Sequence, residues 1–257
     1  MYTLPNWPPD IWLAILLAVT FAAVTHGAVG FGFPLLSTPL VALITDVRTA
    51  VLATLVPNIV LNVMSIVRGA NWRATLRSYW PVAAWVFLGT LAGSAVLAYA
   101  NPAALKMLLA CLIVVYLLQS RHARAPSPLL MRHRRASAAV FGLAGGFFSG
   151  TVNVAVPPLL IYFSALELAP LVMTQAMNLS FLAGRSTQVL ALVSAGRMAP
   201  GWFLLGIPLS VLAVLALRLG FVLQRRFAPA LFTRLMRGLL WAMAAVLAGQ
   251  TLRDYLR

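Results

Sequence analysis

Acidic residues are nearly missing from this sequence: Asp10, Asp46, Glu167 and Asp254 are the only four in 257 residues. All four lie at the ends of apolar segments. A carboxylate in mid-membrane, the usual centre of a proton relay or a sodium site, is therefore absent. Paired carboxylates for acid–base catalysis are absent too. Cysteine is equally scarce. The single Cys111 excludes an intramolecular disulfide and a cysteine-cluster metal site, and within its apolar run it reads as a packing residue. His26 is the one histidine in an apolar segment, since His122 and His133 fall in a polar stretch. A metal centre thus lacks ligands, no cofactor is implied, and a membrane enzyme has no catalytic constellation to use.

Hydrophobic length is what the chain does have. It is 62% hydrophobic and 9% charged, whereas a soluble domain carries about a quarter charged residues. Apolar segments run over 11–29, 33–45, 49–67, 81–99, 103–119, 137–150, 154–166, 168–194, 201–219 and 230–249. The expectation is an all-α polytopic membrane protein. No basic region precedes Ile11, so the start reads as a span and not as a cleaved signal. The net charge of +15 does not point to nucleic acid, because no aromatic-basic surface lies outside the apolar segments. Basic residues of a membrane protein gather in cytoplasmic loops and at anionic headgroups, which makes membrane lipids the expected partner.

Residues 26–41, HGAVGFGFPLLSTPLV, interrupt this pattern with three glycines and two prolines. Span 11–45 is too long for one crossing: 35 helical residues reach about 52 Å against a core of about 30 Å. A break at Gly30–Pro34 would turn the chain back to the side it entered. The same holds for 137–166, with a break near Asn153–Pro158. Two hairpins and six ordinary spans result, with the two breaks expected to meet near the midplane from opposite sides.

Charge supports one orientation. With the N-terminus outside, the inner loops hold Arg68, Arg73, Arg77, Arg121, Arg124, Arg132, Arg134, Arg135, Arg218, Arg225, Arg226, Arg234 and Arg237. The outer side holds Arg48, Lys106, Arg197, Arg253 and Arg257. Thirteen against five is a positive-inside bias, and it puts both termini in the periplasm of a bacterial inner membrane. Three units follow: a membrane repeat over 1–119, a basic cytoplasmic linker over 120–136 and a second repeat over 137–257. Each repeat is a hairpin plus three spans, and the two start on opposite sides, the inverted-repeat plan of many secondary transporters. HGAVGFGFPLL (26–36) aligns with SGTVNVAVPPLL (149–160), and Thr54-x3-Asn58 recurs 120 residues later as Thr174-x3-Asn178.

These motifs resemble the sulfite exporter TauE/SafE family of membrane permeases, whose pattern SGxxGxGGGxxxxPxL occurs once in each half. The first copy runs from His26 through Gly27, Gly30, Gly32, Phe33, Pro34 and Pro39 to Leu40. The second runs from Ser149 through Gly150, Asn153, Ala155, Val156 and Pro157 to Tyr162. His26 replaces the pattern's serine, Phe33 and Pro34 replace two glycines, and in the second copy Asn153, Ala155, Val156 and Pro157 replace four. The resemblance implies export of a small anion, sulfite or an organosulfonate or organic acid, by alternating access.

The residues themselves support an anion site. Helix breaks survive in hydrocarbon only where protein or a water-filled cavity covers their backbone groups, and half-helix N-termini attract anions. Gly27, Gly30, Gly32, Ser149, Gly150, Thr151 and Asn153 form that backbone; close helix packing is the alternative use of the glycines. The next spans carry polar stripes. Thr54, Asn58, Asn62 and Ser65 share one face, and Thr174, Asn178, Arg185 and Gln188 share another. Arg185 is the sharpest candidate, since an intramembrane arginine is expensive and its fork matches an oxyanion. Snorkelling to the outer headgroups is the alternative. His26 reads either as a proton or substrate group or as part of a polar packing seam. The competing functions are an uptake permease or channel for another anion, a membrane enzyme, and a non-transporting interaction protein. A homodimer is one expectation for the oligomeric state.

Overall fold

A computed structural model describes residues 6–69, 72–119, 128–226 and 229–256, and every element in them is helical. The first half contains α1 (Pro9–Val29), α2 (Phe33–Ile44), α3 (Val47–Val67), α4 (Trp72–Tyr99) and α5 (Pro102–Gln119). After the short α6 (Pro128–Arg132), the second half repeats the order with α7 (Arg134–Val152), α8 (Val156–Ala165), α9 (Pro170–Ser194), α10 (Gly201–Arg226) and α11 (Pro229–Leu256). Six helices among the described residues are long and apolar enough to cross a membrane: α1, α3, α4, α5, α10 and residues 234–253 of α11. α9 is as long, but its polar stripe lowers its hydropathy.

Local chemistry explains the ends. Asp46 caps α3 by accepting from the backbone N–H groups of Arg48 (2.8 Å) and Thr49 (3.1 Å). Proline stands in the first turn of α1, α2, α8 and α9, where its missing N–H costs nothing. α4 starts nine residues before the apolar segment at 81, and α10 ends seven residues after 219. Both extensions are arginine-bearing helix that continues past the hydrophobic stretch, which hydropathy does not register. Within the linker expected over 120–136, α6 forms and α7 already begins at Arg134; residues 120–127, with Arg121, His122 and Arg124, lie outside the described residues, as does Arg257.

Packing obeys one scheme under exchange of the halves. α4 packs most extensively on α7, and its counterpart α10 packs on α1. α4 also packs on α9 as α10 does on α3, while α3 meets α9 and α5 meets α11. Matching positions make matching contacts. Pro208 follows Pro81 by 127 residues, and Gly220 follows Gly93 by the same interval. A Cβ on Gly27 would strike the Leu217 carbonyl and Gly220, and one on Gly150 would strike the Thr90 carbonyl and Gly93. Leu217 is again 127 residues after Thr90. Backbone therefore meets backbone at both crossings, the close approach that small residues allow in membranes.

Hydrogen bonds give directions. Gln175, in the second turn of α9, joins the Ile66 carbonyl at the end of α3 (3.1 Å) to Thr75 at the start of α4 (2.8 Å). α9 thus runs antiparallel to α3. Arg68 meets Gln224 at the same end of the bundle, so the described arginines after α3 and α10 share one end. At the other end, Arg48 donates to the Leu97 and Ala100 carbonyls, both at 3.0 Å, and Trp7 stacks edge-on against Trp202.

Candidate functional site: two helix breaks and a buried arginine

Each break has a left-handed residue at its start. Gly30 has φ +96° and Gly32 φ +108°, values an L side chain rarely adopts. In the second copy the residue aligned with Gly30 is Asn153, with φ +67°. Asn tolerates this region because its short polar side chain bonds locally, so the departure from glycine preserves the turn. Ala155, aligned with Gly32, has φ −95° and needs no glycine.

The breaks do not meet at mid-helix. His26 Nε2 is 2.9 Å from Ser65 Oγ, two residues from the end of α3. Asn153 Nδ2 donates to Thr54 Oγ1 (3.1 Å) near the start of α3 and to Thr38 Oγ1 (2.9 Å) in α2. Ser65 and Thr54 are eleven residues apart, about 16 Å of helix. The cause is the unequal arms of the hairpins. α1 and α7 have 21 and 19 residues and carry the chain past the middle, whereas α2 and α8 return over 12 and 10. α2 bridges the gap between the two breaks.

Within each half, the end of the first helix clips onto the stripe. In the first half the pair is His26 and Ser65. In the second it is Ser149 and Arg185, whose Nη2 donates to the Ser149 carbonyl at 2.9 Å and also to its hydroxyl. Between halves, Asn178 Nδ2 donates to the Gly30 carbonyl at 2.9 Å, mirroring the bond from Asn153 to Thr54. His26 Nδ1 accepts from the Phe33 backbone N–H at 3.2 Å, which assigns the ring hydrogen to Nε2 and makes the imidazole a clip across the break.

Arg185 is 1% exposed. Its Nη1 donates to Gln188 Oε1 at 2.7 Å, and Gln188 Nε2 in turn donates to the Gly150 carbonyl at 2.8 Å. Its Nε has no partner among the described residues. All of these acceptors are neutral. Asp46 is spent on the α3 cap, and no carboxylate among the described residues approaches the guanidinium. A buried cation without a counter-charge is strongly disfavoured unless an anion joins it. Snorkelling is excluded by the burial. Asn58 and Asn62 are also fully buried and bond each other at 3.2 Å, leaving Asn58 Nδ2 and Asn62 Oδ1 without partners among the described residues. Thr151 instead bonds back to the Phe147 carbonyl of its own helix (3.0 Å).

A cavity of about 400 Å³ opens at the arginine-bearing end, lined by Gly30, Ser65, Arg68, Thr174, Phe221 and Gln224 among others. Arg68 stacks over Phe221, 3.7 Å from the ring centroid, and reaches Gln224 at 3.3 Å. Desolvation, followed by the nearby Arg225, holds the Arg68 guanidinium below its ordinary pKa, as expected for an electropositive mouth. The aligned positions of the other half, Asn153, Arg185, Gln188, Thr54, Ser94 and Leu97, are all sealed, none more than 2% exposed. Sequence reasoning missed Thr38, Ser94, Arg68 and Gln224. A Ser37-Thr38 pair inside an apolar run was the available signal for Thr38.

A family model described as Sulfite exporter TauE/SafE matches residues 15–247. No curated protein and no solved structure matches the chain.

Proposed function

The chain belongs to the sulfite exporter TauE/SafE family, and on that premise we propose that it is a permease for a small oxyanion, with sulfite or an organosulfonate as the leading substrates. The single observation that carries the reading is Arg185, a buried cation whose every partner among the described residues is neutral. Its planar fork suits two oxygens of one anion. The anion takes the place of the Ser149 and Gln188 acceptors, and Asn58 and Asn178 line the path.

The two unequal mouths support alternating access. One set of positions borders a cavity, and the aligned set in the other half is closed. Exchanging the conformations of two inverted repeats would close the first mouth and open the second. The antiparallel run of α3 and α9 supports the inverted relation. The positive-inside bias supports an open mouth on the cytoplasmic side and both termini on the periplasmic side of an inner membrane, an orientation compatible with loading from inside and export. An interaction protein leaves the uncompensated Arg185 without a role.

The test is flux from proteoliposomes loaded with sulfite, a sulfonate, sulfate or a carboxylate. Saturable efflux of sulfite or the sulfonate is expected; efflux no faster than from protein-free liposomes loaded with the same anion, for every anion, would overturn the reading.

A further inference from the structure

A second cavity, of about 630 Å³, lies away from the helix breaks. It is bounded by Ser78, Tyr79 and Trp85 of α4, Arg134 and Arg135 of α7, and Tyr162 of α8. We propose that this cavity binds the phosphodiester headgroup of an anionic phospholipid, with Arg134 and Arg135 as the phosphate ligands and Trp85 against the acyl chains.

Three features carry the assignment. First, two adjacent exposed arginines share the cavity with three hydroxyl-bearing side chains, and none of its lining residues is acidic. Phosphate oxygens are the natural acceptors for such a set. Second, the arginines occupy the first turn of α7, which has no acidic residue, and its N-cap His133 makes no capping bond. Two cations beside the positive end of a helix dipole repel it, and an anion there relieves the repulsion. Third, the cavity is amphipathic. Pro81, Val82 and Ala138 provide an apolar wall, and Trp85 both lines the cavity and is exposed on the outer surface of α4. Trp80, Phe87, Leu88 and Leu91 are exposed on the same helix, where the hydrocarbon would lie.

The position in the bundle agrees. A Cβ on Gly142 would meet Trp85, and one on Gly146 would meet the Val86 carbonyl, so α4 and α7 run parallel. Arg134 and Arg135 therefore lie at the arginine-bearing end, level with Ser78 and at headgroup depth. Basic pockets between helices on the cytoplasmic side are suited to anionic headgroups. Free phosphate would satisfy the arginines but gain nothing from the apolar wall. The site is independent of the transport reading, since it shares no residue with Arg185 or the breaks.

The experiment titrates purified protein in neutral detergent with phosphatidylglycerol, with phosphatidylcholine of the same acyl chains, and with inorganic phosphate. Thermal stability and native mass spectrometry are the readouts. Phosphatidylglycerol should raise the melting temperature and appear as a retained adduct, and the other two should not. The double substitution R134Q/R135Q should weaken phosphatidylglycerol binding about ten-fold or more, and relief of the repulsion at the start of α7 should keep the lipid-free melting temperature from falling. Equal stabilisation by both lipids contradicts the headgroup assignment, and stabilisation by inorganic phosphate alone contradicts the lipid. Undiminished phosphatidylglycerol binding in R134Q/R135Q contradicts the site. The two-lipid comparison on the native protein decides the matter if the double variant does not fold.

Discussion

Arg185 of α9 donates to the Ser149 carbonyl of α7 at 2.9 Å, one turn before the second helix break. The bond ties Arg185, the one buried arginine among the described residues, to the backbone that turns at Asn153. Two requirements follow, positive charge and a two-pronged donor. Arg185→Lys keeps the first and loses the second. Sulfite affinity, read by thermal stabilisation, should fall about ten-fold or more with the protein still folded, the cost of one charge-assisted hydrogen bond. Full affinity in the lysine variant would show that the fork is not used.

Asn153 is held at φ +67° and bonds Thr38 and Thr54. Asn153→Gly keeps the turn and loses the bonds, whereas Asn153→Val loses both. Left-handed strain at a β-branched residue adds about 1–2 kcal/mol. The valine variant should therefore melt at a lower temperature than the glycine variant in the same detergent. Equal melting temperatures would argue that the backbone at the second break is unconstrained.

Gly27 and Gly150 sit where α1 meets α10 and α7 meets α4. A side chain at either position has backbone in its way. Gly27→Leu and Gly150→Leu should each destabilise by about 1–3 kcal/mol or more, seen as lower yield of monodisperse protein by size-exclusion chromatography. Gly238→Leu, where a Cβ meets nothing within 4 Å, is the control expected to behave as wild type.

Thr174 borders the open cavity, and Thr54, 120 residues earlier, is sealed. In a Cys111→Ser background, Thr174→Cys should react with a charged thiol reagent added from the cytoplasmic side, and Thr54→Cys should not. Substrate should change the Thr174→Cys rate from that side and the Thr54→Cys rate from the opposite side, in opposite directions. Equal labelling of the two, unaffected by substrate, would be incompatible with alternating mouths.

Much of this architecture is legible in the sequence because hydrocarbon leaves few options. Apolar length gives the helices, and the glycine motif at 26–36 marks the first break to within a residue or two. The location of the breaks along their neighbours was not legible. It depends on α1 running its full 21 residues before Gly30 turns, and periodicity does not report how far past the middle an arm extends. The arginine-bearing start of α4 was missed because hydropathy sees only the apolar part of a helix. Arg185 and the stripes could be read from spacing. Their partners could not, because the bonds joining Asn153 to Thr38 and Asn178 to Gly30 span 115 and 148 residues. The alignment of His26 with Ser149 proved informative in an unexpected way: both clip the first helix to the stripe, through different chemistry.

The central claim is that an uncompensated Arg185 receives the transported anion. Sulfite efflux from proteoliposomes, measured side by side for wild type and Arg185→Ala at matched protein density, tests it most directly. The account predicts saturable efflux from the wild type and a loss of about ten-fold or more in the alanine variant, with both proteins eluting as the same folded species. Undiminished efflux from Arg185→Ala would contradict it.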